Sequence, residues 1–216
     1  MNKTRLLAVL VGSVLVSSCA NLSTLQTART LPKGESRYLI GGGMFLVPNT
    51  SDGGGRRGHY PYLEGSVRKG LSETWEIGGK ATLMGTLGFD GKYKIWEKNR
   101  FALATGAGIG FISFGLLNVD SKQSSAQTFI DLIAPIYASY DLGPVFTVYV
   151  SPKYVYRISN AKFLTEKSDN TLALLGGSLG VQLKFTEKEG VFIEGTSMRY
   201  LGRHENASQM NMGFYF

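Results

Sequence analysis

Hydrolysis or acyl transfer by side chains needs a nucleophile held beside a general base, and this sequence offers two histidines for the base, His59 and His204. Each stands in or beside a long polar stretch, with Asp52 and Glu205 as the nearby carboxylates. No Asp-x-Asp or Asp-x-His spacing accompanies them, so both read as solvated loop residues and no catalytic residue is assigned. Metal-ligand spacings (His-x-His, a cysteine pair, an Asp-x-Asp loop) are absent, and no metal or cofactor is expected. The glycine runs GGG (41–43) and GAGIG (106–110) sit inside alternating stretches and not between a strand and a helix. They are poor phosphate loops and better places for strands to bend and bulky neighbours to pack. DGGGRRGH (52–59) is a flexible loop carrying two arginines that suit a phosphate.

The remaining chemistry lies in charges that recur with strand parity. Glu64, Arg68, Glu76, Lys80, Asp90, Lys92, Lys94, Asp131, Lys153, Arg157 and Lys184 each fall on the face opposite the apolar residues of their stretch, and Glu194 is a further candidate. Both signs are present and cations lead. Packed together, they would interlock as a network of ion pairs, since unpaired charges in a confined interior are costly. Left open to water, Lys80, Lys92, Lys94, Lys153 and Arg157 would line a narrow, weakly anion-preferring path.

The elements that must position these charges are strands. Ten alternating stretches are legible: 36–47, 60–70, 75–84, 87–96, 101–114, 128–140, 145–157, 171–185, 190–200 and 207–216. In 128–140, for example, Ile130, Leu132, Ala134, Ile136 and Ala138 oppose Asp131, Tyr137 and Ser139. The first and ninth stretches alternate less cleanly. Glu194 and Arg199 differ in parity, which predicts a bulge or a rim position there. Short links (GLSET, EKN, LG, TEKE) alternate with long polar ones (48–59, 116–127 and 159–170), apart from a brief link at Gly85. Trp75, Trp96, Phe101, Tyr140, Phe146, Phe185 and Phe216 lie beside the short links or the C-terminus. Tyr60, Tyr62, Phe114, Phe129, Tyr154, Tyr156 and Tyr200 lie toward the long ones. Two aromatic belts and loops sorted by length predict an all-β, membrane-spanning, up-and-down antiparallel barrel over 36–216. Ten strands fit best, with eight or twelve as alternatives, and a soluble sandwich explains the sorting less well.

Both ends carry resemblances. Lys3 and Arg5 precede an apolar run, Leu6 to Val16, that is too short to span a bilayer and fits a signal peptide. Its close, Val16-Ser17-Ser18-Cys19, resembles a bacterial lipobox. That implies a lipoprotein signal over 1–18, cleavage before Cys19 and lipid on that residue; ordinary cleavage after Ala20 is the alternative. Cys19 is the sole cysteine, so no disulfide forms within the chain. Loss of the signal takes the net charge from +7 to +5, and no Lys/Arg-rich run points to nucleic acid. Residues 19–35 then read as a periplasmic tether, either a flexible linker or a short helix over STLQTARTL ended by Pro32-Lys33-Gly34. At the other end Met210, Met212, Phe214 and Phe216 alternate with Gln209, Asn211, Gly213 and Tyr215. This resembles the C-terminal signal of bacterial outer-membrane barrels, with Phe214 and Phe216 as its aromatic marks. RKGLSETWEIGGK (68–80) is similar to the strand–turn–strand unit of small outer-membrane barrel families.

The resemblance implies an outer-membrane location with the lipid in the periplasmic leaflet and the long loops outward. It implies as partners the outer-membrane lipids, the lipopolysaccharide phosphates, the barrel-assembly machinery and the lipoprotein-sorting machinery. It leaves the oligomeric state open. The expected role is structural or surface interaction around a charged, filled lumen, with the narrow channel as the alternative. A barrel hydrolase or acyltransferase acting on lipid A or peptide, similar to omptin-like proteases or lipid A deacylases, is third, because the paired catalytic residues are missing.

Overall fold

The computed structural model describes residues 22–47, 58–83, 85–116, 125–163, 166–202 and 206–216. These form ten strands: β1 (Ser36–Val47), β2 (Gly58–Gly70), β3 (Trp75–Thr82), β4 (Thr86–Lys98), β5 (Phe101–Leu116), β6 (Ser125–Asp141), β7 (Phe146–Phe163), β8 (Glu166–Lys184), β9 (Gly190–Tyr200) and β10 (Asn206–Tyr215). Each pairs antiparallel with its sequence neighbours, and β1 pairs with β10, so the sheet closes into a barrel. The seam runs from Leu39 opposite Tyr215 to Leu46 opposite Ser208. Phe216 finishes it by a reciprocal pair of backbone bonds with Tyr38, at 2.8 and 2.9 Å. Closure removes both sheet edges and their free N–H and C=O groups.

Strand alternation separates two chemistries. Ile40, Leu63, Ile77, Leu87, Phe89, Leu132, Ile136, Leu175, Leu179, Met210 and Met212 are exposed on the outer surface. A continuous apolar exterior of this kind suits hydrocarbon and not water. Near the short turns, outward aromatics cluster: Trp75 with Tyr93 at 4.9 Å, Trp96 with Phe101 at 5.4 Å and Tyr38 with Phe216 at 6.0 Å between ring centroids.

Several expectations change. The second aromatic belt is thinner than expected, because Tyr62, Phe129 and Tyr200 are buried inside the barrel; Tyr154 is exposed and Tyr60 and Tyr156 are half-buried, while the Phe114 side chain lies outside the described ones. The irregularity expected in the first or ninth stretch lies in β4, between Lys94 and Trp96, and turns Ile95 and Trp96 both outward. β9 alternates without a break, Glu194 inward and Arg199 outward. The polar stretch 159–170 is not a loop but the end of a long hairpin, paired from Ile158 opposite Thr171 to Phe163 opposite Glu166. The brief link at Gly85 is a tight turn in which Gly85 takes φ 82° and donates to the Thr82 carbonyl at 3.1 Å.

The largest departure concerns the tether. Residues 22–31 form neither helix nor strand; the segment is mostly buried, bends at Ala28 and takes the left-handed region at Leu25, φ 43°. Its hydrogen-bond partners stand on β2, β3, β4, β7, β9 and β10, on opposite sides of a closed barrel. Only a chain inside the barrel can reach all of them. Pro32 to Glu35 then turn the chain into β1, held by Gly34 donating to the Gly70 carbonyl and Gly70 donating to that of Glu35.

Candidate functional site: the barrel interior

Three layers of side chains meet the internal segment. In the first, nearest the short turns, register decides the contacts. Glu76 lies directly opposite Lys92 across β3 and β4, and Arg68, Gly78 and Asp90 form one row across β2, β3 and β4. Gly78 lacks the side chain that would block this row, since a Cβ there would sit 2.5 Å from Arg68 Nη1. The guanidinium therefore passes over it and grips both oxygens of Asp90, at 2.6 and 3.1 Å, while its Nε donates to Glu76. Lys92 Nζ lies 3.2 Å from Glu76 and donates to the carbonyls of Thr27 and Arg29 at 3.0 and 2.9 Å. Glu76 also accepts the Leu31 N–H at 2.8 Å.

The second layer repeats this logic around residues 22–25. Glu194 accepts the backbone N–H groups of Thr24 and Leu25, both at 2.8 Å, and is also bonded by Tyr149, Thr196 and Asn211. Gln209 Oε1 accepts the Leu22 N–H at 3.0 Å. Lys80 donates to the Ser23 carbonyl at 2.9 Å, and Glu64 accepts from Ser23 Oγ at 2.7 Å. Lys153 donates to the Leu22 carbonyl, to Thr24 Oγ1 and to Ser178 Oγ. The pattern is consistent: acidic and amide oxygens take the segment's N–H groups, and lysines take its carbonyls. The wall charges stand where the edge of a neighbouring strand would otherwise be, satisfying backbone groups that would be costly to bury alone.

The third layer is mostly apolar. Leu22 joins Ile112, Phe129, Val155, Leu174, Met198 and Tyr200 in one buried cluster toward the long-connection end. Within this layer Arg157 binds Asp131 through Nε and Nη2, at 2.7 and 2.8 Å, and lies over the Phe129 ring at 5.4 Å. The apolar residues of the segment recur every third position, Leu22, Leu25, Ala28 and Leu31, and the first three seat in three separate clusters of the wall. Two cavities of about 50 and 60 Å³ flank the segment, each with room for a few water molecules.

The eleven charges singled out by parity all point away from the apolar exterior, but they do not form one network. Lys80 reaches the Ser23 carbonyl, and Lys94 pairs with Glu97 at 2.7 Å near the short-turn rim. Lys184 lies 3.6 Å from Asp141, which Arg29 of the segment also binds at 2.6 Å. Glu194, only a further candidate by parity, is a principal ligand of the segment, and the residues missed are Gln209, Asn211, Ser178 and Tyr149. Their parity was legible, but nothing local marked the backbone they would meet. His204, Asp52, Glu205 and Cys19 lie outside the described residues, and His59 is described only as backbone in β2. Among the described residues no cluster of His, Cys, Asp and Glu could hold a metal ion.

No protein-family model and no curated protein matches the sequence. Among solved structures, Neisserial surface protein A is 9% identical with a TM-score of 0.43, covering 83% of this chain and 95% of that one. Ail, the attachment invasion locus protein of Yersinia pestis, is 12% identical at a TM-score of 0.42, covering 85% and 99%. An outer membrane channel from Pseudomonas putida F1 is 9% identical at a TM-score of 0.49, covering 87% and 97%. The likeness is one of barrel architecture.

Proposed function

We propose that this protein is a lipid-anchored β-barrel of a bacterial outer membrane whose lumen is filled by its own N-terminal segment, and that its role is structural or surface interaction, without catalysis. The observation that carries the reading is the reciprocal bonding of segment and wall. Four backbone N–H groups of residues 22–31 end on Gln209, Glu194 and Glu76, and four carbonyls end on Lys153, Lys80 and Lys92. Cations engaged in this way are not free to attract a passing anion, which weakens the channel reading. The apolar exterior supports outer-membrane lipids as the surrounding partner, and the two terminal signals support passage through lipoprotein-sorting and barrel-assembly machinery.

Planar-bilayer recording tests the reading. The full-length mature protein should be electrically silent, and a variant lacking residues 22–31 should conduct once assembled. Steady wild-type conductance with anion preference that falls in Lys80→Ala and Lys153→Ala would instead establish the narrow channel.

A further inference from the structure

We infer that the chain runs through the barrel with its N-terminal side toward the long-connection end, so that a lipid carried on Cys19 is presented at that face and not at the short-turn rim. This rests on the lipid-anchored reading for the identity of the cargo, and on the described residues alone for the direction.

The lower end of the segment is fixed at the short-turn rim by independent contacts. Thr30 Oγ1 donates to the Glu73 carbonyl in the β2–β3 turn, and Arg29 reaches the Asn99 carbonyl in the β4–β5 turn. Arg29 also binds Asp141, the last residue of β6, and Gly34 binds Gly70, the last residue of β2. The upper end is fixed just as firmly in the other half. Leu22 is bonded to Gln209, the fourth residue of β10, and shares its cluster with Tyr200, the last residue of β9. Residue numbers therefore fall as the chain rises from the short-turn rim.

Reach then decides where Cys19 can be. From Gln209 down to Tyr215 the strand covers six residues, roughly 20 Å at the rise of a strand. From Gln209 up to Asn206 it covers three, roughly 10 Å. Cys19 precedes Leu22 by three residues, and three residues span at most about 10 Å even fully extended. The short-turn rim is out of reach, and the way back is occupied by residues 23–31 themselves. The lumen below Leu22 is filled by residues 23–31, and the cavities of about 50 and 60 Å³ beside them are too small for an acyl chain. Its apolar destination is the lipid or the surface at the long-connection end. The expected anchor in the leaflet beside the short turns does not fit this direction.

Assembly follows the same constraint. The partners of residues 22–25 come from β2, β3, β7, β9 and β10, from both ends of the sequence. The full set of bonds to the segment is therefore complete only when β1 and β10 are paired.

Topology mapping with a membrane-impermeant maleimide tests the direction, in a Cys19→Ser background carried by a cleavable, non-lipid signal. A short flexible epitope bearing a single cysteine is placed before Asn21 and compared with Ser72→Cys, in the β2–β3 turn, and Leu201→Cys, after β9. Labelling on intact and on permeabilised cells should follow Leu201→Cys. Labelling that follows Ser72→Cys in heat-modifiable, assembled protein would overturn the inference. If the epitope blocks assembly, the untagged Ser23→Cys variant with a second cysteine in place of Glu64 or of Ser72 answers the same question. A short bifunctional maleimide should join position 23 to 64, and joining 23 to 72 instead would overturn the direction. A silent wild-type barrel whose epitope labels with Ser72→Cys would refute the direction alone. A conducting wild-type barrel whose epitope labels with Leu201→Cys would refute the filled lumen alone.

Discussion

Glu76 and Lys92 face one another at 3.2 Å across β3 and β4, both almost wholly withdrawn from solvent, and each also holds the backbone of the internal segment. The pair is thus a joint between wall and thread. Removing one partner leaves the other buried with its charge less compensated, which typically costs about 3–5 kcal/mol. Lys92→Met should lower the urea midpoint in lipid vesicles accordingly, while Lys188→Ala, in an exposed turn, should stay within about 0.5 kcal/mol of wild type. The double variant Glu76→Gln, Lys92→Met should cost less than the sum of its parts. An unchanged midpoint in Lys92→Met would refute the joint.

Arg157 and Asp131 make a two-pronged buried pair, with the guanidinium over the Phe129 ring of the apolar cluster. Arg157→Lys keeps the charge but not the fork and should not restore stability. Replacing both residues, Asp131→Leu with Arg157→Met, should be much closer to wild type than Arg157→Met alone, because a well-packed apolar pair often substitutes for a buried ion pair. Thermal unfolding followed by the mobility shift of unheated against heated samples measures the order.

Gly70 stands where the segment leaves the lumen. A Cβ there would meet the carbonyl oxygens of Pro32 and Leu31 at 2.2 and 2.4 Å, distances no methyl group tolerates. Gly70→Ala should displace the exit of the segment, lower stability and introduce flickering conductance into an otherwise silent barrel. A Cβ on Gly195 meets nothing within 4 Å, and Gly195→Ala should be neutral in both measurements.

Phe216 completes the seam through its paired backbone bonds with Tyr38 and stacks on Phe214 at 5.9 Å between centroids. Deleting it removes the last rung of β1–β10 and should slow the appearance of heat-resistant barrel in a time course of assembly. Assembly at the wild-type rate would remove Phe216 from any role in closure.

Much of this architecture could be read from residue order alone, since strand pleating is a local property. Alternation in 128–140 sets Asp131 and Tyr137 on the face opposite Leu132 and Ile136 whatever surrounds them, and the structure keeps them there. The same locality explains the misreadings. Tyr62, Phe129 and Tyr200 are aromatics at strand ends, and position along a strand does not say whether a ring meets lipid or lumen. Polar composition over 159–170 reads as a loop, yet composition does not decide pairing, and the backbone there continues as paired strand.

By itself the sequence determined the strands, their antiparallel order, the apolar exterior and the inward set of charges, because each depends on neighbours one to a dozen residues apart. Only the tertiary structure decided what those charges hold. Lys153 and Leu22 are separated by 131 positions in sequence, and Gln209 and Leu22 by 187. Whether they meet depends on the closure and width of the barrel, a property of all ten strands at once. A stretch such as STLQTARTL has no strong local preference, so it takes its conformation from the lumen that bonds it.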